Sequence, residues 1–309
     1  MGKIAFIFPG QGAQSVGMGK DVYEHSAVGK EVYDRFDEII GRKLTNVCFN
    51  GPEEDLKQTI NTQPAILATS LALLEVLKEK TDITPDFVAG HSLGEYGALY
   101  TAGVLSLDDT IKAIAKRAEL MSLAKSGSMA AVLGLSQDVL EEIISGVDGV
   151  VSIANYNTPE QLVITGEEQV VAEVSKLASE KGAKRVIPLA VSGAFHSALM
   201  KPAGEEFASF VKTLKFNDAS IPVVTNVDAH ETIKGSEFEE KMPRQIYSSV
   251  YWTQIIQHMM SQGVDTMIEI GPGSVLMGLN RKISRDIKTY SVSNLEAVEK
   301  TVNELTLRV

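Results

Sequence analysis

The pentapeptide Gly90-His91-Ser92-Leu93-Gly94 stands directly behind the apolar run Phe87-Val88-Ala89. A G-x-S-x-G turn with a strand before it and a helix after it leaves a chain few ways to fold. The strand must end where the turn begins, and the serine must sit in a strained bend. Both glycines are required, because a side chain at either place would collide with neighbouring backbone. Glu95-Tyr96-Gly97-Ala98-Leu99-Tyr100-Thr101-Ala102 reads as the helix, with Gly103 as its C-terminal cap. Its amino end aims backbone N–H groups at whatever oxygen lies beside Ser92. Ser92 is thereby a candidate nucleophile.

Strand and helix alternate at both ends of the chain. Lys3 to Phe8, Phe87 to Ala89 and Thr266 to Ile270 read as buried strands, and Thr69 to Lys80 as an amphipathic helix. Alternation of this kind implies a parallel sheet with helices on both faces. The middle is different. Met129 to Leu133, Val150 to Ala154, Gln161 to Thr165 and Arg185 to Leu189 read as strands, with helices over Ser136 to Ser145 and Glu167 to Lys181. Asn155 to Pro159 reads as a turn between two of them. The order β-α-β-β-α-β is that of a ferredoxin-like unit. The expectation is an α/β fold: an α/β-hydrolase-like large domain, residues 1–126 and 195–309, with a ferredoxin-like small domain, residues 127–194, inserted and a cleft between them.

Composition narrows the function classes. The 309 residues are 44% hydrophobic and 22% charged, as in a globular protein with a substantial core. No apolar run approaches bilayer-spanning length, and the opening apolar stretch ends at Pro9-Gly10, so it reads as a strand and not an export signal. The cytoplasm is the expected compartment, and the absence of a heptad seam points to a monomer. A net charge of −11 disfavours nucleic acid and anionic membranes as partners. Cys48 is the single cysteine and lies in an apolar segment, which excludes an internal disulfide and argues against a metal site. No metal or resident cofactor is expected.

A serine nucleophile needs a base. Of five histidines, His25, His230 and His258 lie in polar or helical surroundings, and His91 diverges from Ser92 at the turn. His196, in Ser192-Gly193-Ala194-Phe195-His196-Ser197, falls where the chain re-enters the large domain and is the candidate general base. No Asp or Glu between Ser92 and His196 sits in an obvious strand-end loop, so the group that orients the imidazole is either an unrecognised acid or a backbone carbonyl. Arg117 lies on or beside the apolar stripe Ile111, Ile114, Ala118, Met121 of a helix capped by Ser106. A guanidinium there costs several kcal/mol unless an anion meets it. It is either half of a buried ion pair or the receptor for a substrate carboxylate. The loop Pro9-Gly10-Gln11-Gly12-Ala13-Gln14 matches neither a Walker A loop nor a dinucleotide fingerprint. Its backbone N–H groups are suited to half of an oxyanion hole, the N–H of Leu93 being the other half.

Together, Gly10-Gln11-Gly12-Ala13-Gln14, Gly90-His91-Ser92-Leu93-Gly94-Glu95-Tyr96, Arg117-Ala118-Glu119-Leu120-Met121, Gly193-Ala194-Phe195-His196-Ser197 and Glu269-Ile270-Gly271-Pro272-Gly273 resemble the malonyl-CoA:acyl-carrier-protein transacylases of bacterial fatty-acid synthesis. The match runs the whole chain in order. The resemblance implies a two-step acyl transfer. Ser92 attacks the malonyl thioester with His196 as base, coenzyme A leaves, and the phosphopantetheine thiol of the acyl carrier protein takes the acyl group. Arg117 would hold the malonyl carboxylate, and Gln11 and Leu93 would form the oxyanion hole. His91, Met121 and Phe195 would line the pocket, Phe195 being the malonyl-selecting form. In that family a backbone carbonyl orients the base, and the matching position here is near Tyr251. An acidic carrier would dock on a local basic patch, either Lys181, Lys184 and Arg185 or Arg281, Lys282 and Arg285. The rival readings are a serine hydrolase or thioesterase, which predicts a carboxylate in the triad, and a non-catalytic carrier-binding scaffold, which predicts a damaged Ser–His pair.

Overall fold

The computed structural model describes residues 2–306. Its larger sheet joins β1 (Lys3–Phe8), β2 (Phe87–Gly90), β7 (Val223–Val224), β8 (Glu231–Thr232), β9 (Val264–Ile270) and β10 (Lys288–Val292) in the order β10-β9-β1-β2-β7-β8. All neighbours run parallel except β7 and β8. The central strand shows why the run Ala5-Phe6-Ile7-Phe8 is apolar throughout. Phe6 and Phe8 enter the core on one face, and Ala5 and Ile7 enter that on the other. A strand covered on both faces has no polar side to present.

The helix Thr59–Lys80 fills the first of these cores. It begins earlier than the expected Thr69 and is buried on nearly every side, so it is not amphipathic. It is also long and apolar enough to cross a membrane, but 89% of its most apolar window is buried in the protein, which marks it as a core helix. Pro64 lies inside it and cannot donate to the carbonyl of Ile60. Arg42 takes up that acceptor, its Nη2 donating to Ile60 O at 2.9 Å and its Nη1 to Asn61 Oδ1 at 2.5 Å. The interruption sits next to Gln63, whose side chain reaches the site described below.

The second sheet is antiparallel, with β3 (Ser128–Leu133), β4 (Val151–Thr158), β5 (Gln161–Gly166) and β6 (Arg185–Pro188) in the order β4-β5-β3-β6. Helices Gln137–Ser145 and Glu168–Glu180 join its strands and bury Leu140, Ile143, Val171 and Val174 against it. The segment from Asn155 to Thr158 is not the expected turn but the end of β4, and Pro159-Glu160 makes the turn. These polar residues stay extended because β4 also pairs with a segment of the larger unit. Tyr156 N donates to Val250 O at 2.9 Å, and Val250 N donates to Ala154 O at 2.8 Å. The chain that follows the helix Gly235–Gln245 is thereby fastened to the small sheet.

Candidate active site

The turn after β2 is as tight as its glycines require. A Cβ on Gly90 would lie 1.9 Å from the carbonyl carbon of Gly94, and one on Gly94 would lie 2.1 Å from Phe8 O. Ser92 itself adopts a left-handed φ of 52°, which an L-residue holds only when its surroundings impose it. A turn of 3-10 helix, Ser92–Gly94, leads into the helix Glu95–Thr101.

His196 comes to this serine from a second strained position, φ 58°. Its Nε2 lies 2.9 Å from Ser92 Oγ. Its Nδ1 lies 2.8 Å from the carbonyl of Gln245 and 3.1 Å from that of Ser248. Carbonyls only accept, so Nδ1 carries the proton and Nε2 is left as an acceptor for the serine hydroxyl. Burial, with the charge of Arg117 adding to it, pulls the imidazole pKa down to about 3, and the two carbonyls oppose this. At neutral pH the ring is therefore uncharged and able to take a proton. The orienting carbonyl is not that of Tyr251, which accepts from Ile255 N in the first turn of the helix Trp252–Ser261. The last residue of the helix Gly235–Gln245 provides it instead, since helix ends leave carbonyls without intrahelical partners.

Arg117, on the helix Leu107–Ser122, is fully buried. Nη1 donates to Gln63 Oε1 at 2.7 Å. Nη2 donates to Gln245 Oε1 at 2.9 Å and to Ser92 Oγ at 3.0 Å. The guanidinium lies 5.8 Å from the ring centroid of Tyr96, and its Nε is buried without a hydrogen-bond partner. Among the described residues no carboxylate forms an ion pair with it. Neutral amides position the cation without neutralising it. Burial lowers its pKa from the ordinary guanidinium value, while Tyr96 and Glu95 act in the other direction.

The description "acyl transferase domain" covers the family whose model matches residues 5–302. The chain is 46% identical over 311 residues to the malonyl CoA-acyl carrier protein transacylase of Bacillus subtilis, covering 99% of this chain and 98% of the relative. To the protein of the same name from Staphylococcus aureus it is 44% identical, over 97% and 98%. The acyl carrier protein S-malonyltransferase of Vibrio cholerae has a TM-score of 0.94 at 40% identity, covering 97% of this chain and 99% of that one. A malonyl-transacylase solved in complex with its type II PKS acyl-carrier protein also has a TM-score of 0.94, at 35% identity over 98% and 99%. The chain belongs to the acyl transferase family.

In this acyl transferase the remaining candidate residues fall as follows. Phe195 and Met121 are buried in the main core, and Gln63 Nε2 donates to Met121 Sδ at 3.4 Å. His91 turns away from the serine, its Nε2 lying 2.8 Å from Asn157 Oδ1, and burial lowers its pKa. Gln11 is partly exposed in the loop after β1, beside the turn after β2, because Phe8 pairs with Gly90 across the sheet. Leu93 is buried at the start of the short 3-10 turn. Gln63, Asn226 and Gln245 are neighbours of the catalytic candidates that sequence reasoning did not single out. Only the sequence Gln63-Pro64 inside an apolar helix was a signal. Asn226 and Gln245 have no local one.

Of the basic clusters, Lys181 and Lys184 pair with Glu142 at 3.9 Å and Glu160 at 3.2 Å. Arg281, Lys282 and Arg285 are exposed and line a cleft of about 1160 Å³ together with Thr158, Pro159 and Glu160 of the small sheet. Cys48 is buried, with its thiol pushed up to about 12, so it is not a nucleophile. No group of His, Cys, Asp or Glu among the described residues is arranged to hold a metal.

Proposed function

We propose that this acyl transferase moves the malonyl group from malonyl-CoA to the phosphopantetheine thiol of an acyl carrier protein through a malonyl ester of Ser92. In the first half-reaction the Ser92 hydroxyl gives its proton to His196 Nε2 as Oγ bonds to the thioester carbonyl carbon. The oxyanion is received by the N–H groups of Gln11 and Leu93, each contributing about 3 kcal/mol in the transition state. The C–S bond then breaks and His196 returns the proton to the departing thiolate. The second half-reaction runs the same steps in reverse with the carrier's thiol.

The observation that carries this reading is the un-neutralised guanidinium of Arg117, donating to Ser92 Oγ at 3.0 Å. A carboxylate on the acyl group, placed one carbon from the ester carbonyl, would meet that cation while its thioester meets the serine. A hydrolase reading gives Arg117 no partner and calls for an acid on His196 Nδ1, where two carbonyls lie. The names of the relatives support the same donor and acceptor.

We read the large sheet with its helices as an α/β-hydrolase-like domain, residues 1–126 and 195–309. The small sheet, residues 127–194, is ferredoxin-like in our reading, supported by its strand order. Arg281, Lys282 and Arg285 are our choice for docking an acidic carrier. Unlike Lys181 and Lys184, none of them is paired with a carboxylate among the described residues. Intact-protein mass spectrometry after mixing with malonyl-CoA tests the reading. A malonyl adduct on the native chain, absent from Ser92→Ala and discharged by carrier protein, is the expected result. Free malonate without an adduct would favour the hydrolase.

A further inference from the structure

Asn226 is buried just beyond β7, far along the chain from the turn at Ser92. Its side-chain amide closes that turn from outside. Oδ1 accepts from Ser92 N at 2.8 Å, and Nδ2 donates to Gly90 O at 2.6 Å. One planar group thus holds the residues on both sides of His91, as a neighbouring strand would, at the point where β2 has stopped pairing with β7. Three further bonds fix the residue, two through its main chain and one through the side-chain amide. Glu95 Oε2 accepts from Asn226 N at 2.6 Å, Gln245 Nε2 donates to Asn226 Oδ1 at 3.4 Å, and Tyr251 N donates to Asn226 O at 3.2 Å. Gln245 Nε2 also donates to Ser92 O at 2.9 Å.

We infer that Asn226 is a positioning residue for acyl transfer, holding Ser92 in its left-handed conformation with Oγ between His196 and Arg117. The inference rests on the reading of Ser92 as the acylated residue. Gly90 C=O is buried and Ser92 N–H partly so, and a buried backbone group must be paired. Without the amide both seek other partners, and the strained φ of 52° at Ser92 is no longer imposed. Asn226 makes no hydrogen bond to Arg117, and only the long 3.4 Å bond links it to Gln245, one of the two amides that hold that cation. Its loss therefore acts on the chemical step and spares the recognition of the carboxylate. A shift of about 1 Å in a reacting atom is worth about 100-fold in rate.

The test is single-turnover acylation by malonyl-CoA, followed by mass spectrometry, in Asn226→Ala, Asn226→Asp and Ser92→Ala. Asn226→Ala is expected to acylate about 100-fold more slowly than wild type, with the malonyl-CoA concentration dependence changed less than about threefold. Asn226→Asp keeps an acceptor for Ser92 N–H but, when ionised, has no donor for Gly90 O. Protonation restores one. Its rate relative to wild type should rise as pH falls, although Glu95, Asp228, Arg117 and His196 are the other titratable or charged groups around it. This recovery is a signature that a general loss of packing would not produce. Acylation within threefold of wild type in a folded Asn226→Ala, or an Asn226→Asp profile parallel to wild type, overturns the inference. Where Asn226→Ala does not fold, the Asn226→Asp profile decides. An adduct persisting in Ser92→Ala would instead refute the reading of Ser92.

Discussion

Replacing Arg117 by alanine removes the one buried cation beside Ser92 and separates the two acyl groups a serine acyltransferase meets most simply, malonyl and acetyl. The guanidinium is fully buried, and its two terminal nitrogens are held by Gln63 and Gln245 at 2.7 and 2.9 Å. Removing one partner of a buried, hydrogen-bonded charge pair costs about 3–5 kcal/mol. At about 1.4 kcal/mol per decade, malonyl kcat/KM should fall between about 140-fold and 3700-fold. Acetyl has no carboxylate to lose, and for it the alanine removes an uncompensated buried charge. Acetyl transfer should therefore hold or rise. Arg117→Lys should recover only part of the malonyl rate, because an ammonium cannot bridge two amide oxygens and a carboxylate as the planar fork does. The assay is adduct formation from malonyl-CoA and acetyl-CoA in competition. Equal losses for both acyl groups would refute the carboxylate role and leave Arg117 a structural support of the Ser92 turn.

Two other outcomes follow from the same geometry. His196 accepts a proton only when neutral, and its pKa is pulled down to about 3, so acylation should stay flat as pH falls through 6.5 and decline only well below it. A rate that halves near pH 6.5 would show a base with an ordinary histidine pKa. Arg117→Gln removes the guanidinium charge that adds to burial in depressing it, and the acidic limb should then move to higher pH. On the surface, Arg281→Glu with Arg285→Glu should raise the carrier protein's KM about tenfold at low ionic strength, the difference shrinking as salt screens it. A KM that does not respond to salt would remove this cleft from the docking surface.

What was legible in the sequence had a short range. The strand, glycines and helix around Ser92 are contiguous, and their steric demands act within a few residues. The element order of the small sheet follows from local periodicity in the same way. Arg117 stood out because a cation on an apolar stripe is anomalous whatever surrounds it. The groups that make these residues work together are contributed across the fold, and local pattern does not register them. The helix Thr59–Lys80 begins before the expected Thr69, and its interior Pro64 is accommodated because Arg42 supplies a donor to Ile60 O. Asn155 to Thr158 read as a turn because polar residues favour turns, yet Val250 pairs with that stretch and keeps it extended. The base-holding carbonyl is that of Gln245 and not that of Tyr251, which accepts from Ile255 N. Gln245 ends the Gly235–Gln245 helix, where carbonyls lack intrahelical partners, and Ser248 just beyond it supplies the second carbonyl facing His196.

The consequence for catalysis is that Gln245 joins otherwise separate parts of the site. Its side chain accepts from Arg117 and donates to Ser92 O, and its main-chain carbonyl receives His196 Nδ1. The candidate nucleophile, base and carboxylate receptor are thus referred to one residue, and that residue lies a few positions before the strand-like contact of Val250 with the small sheet.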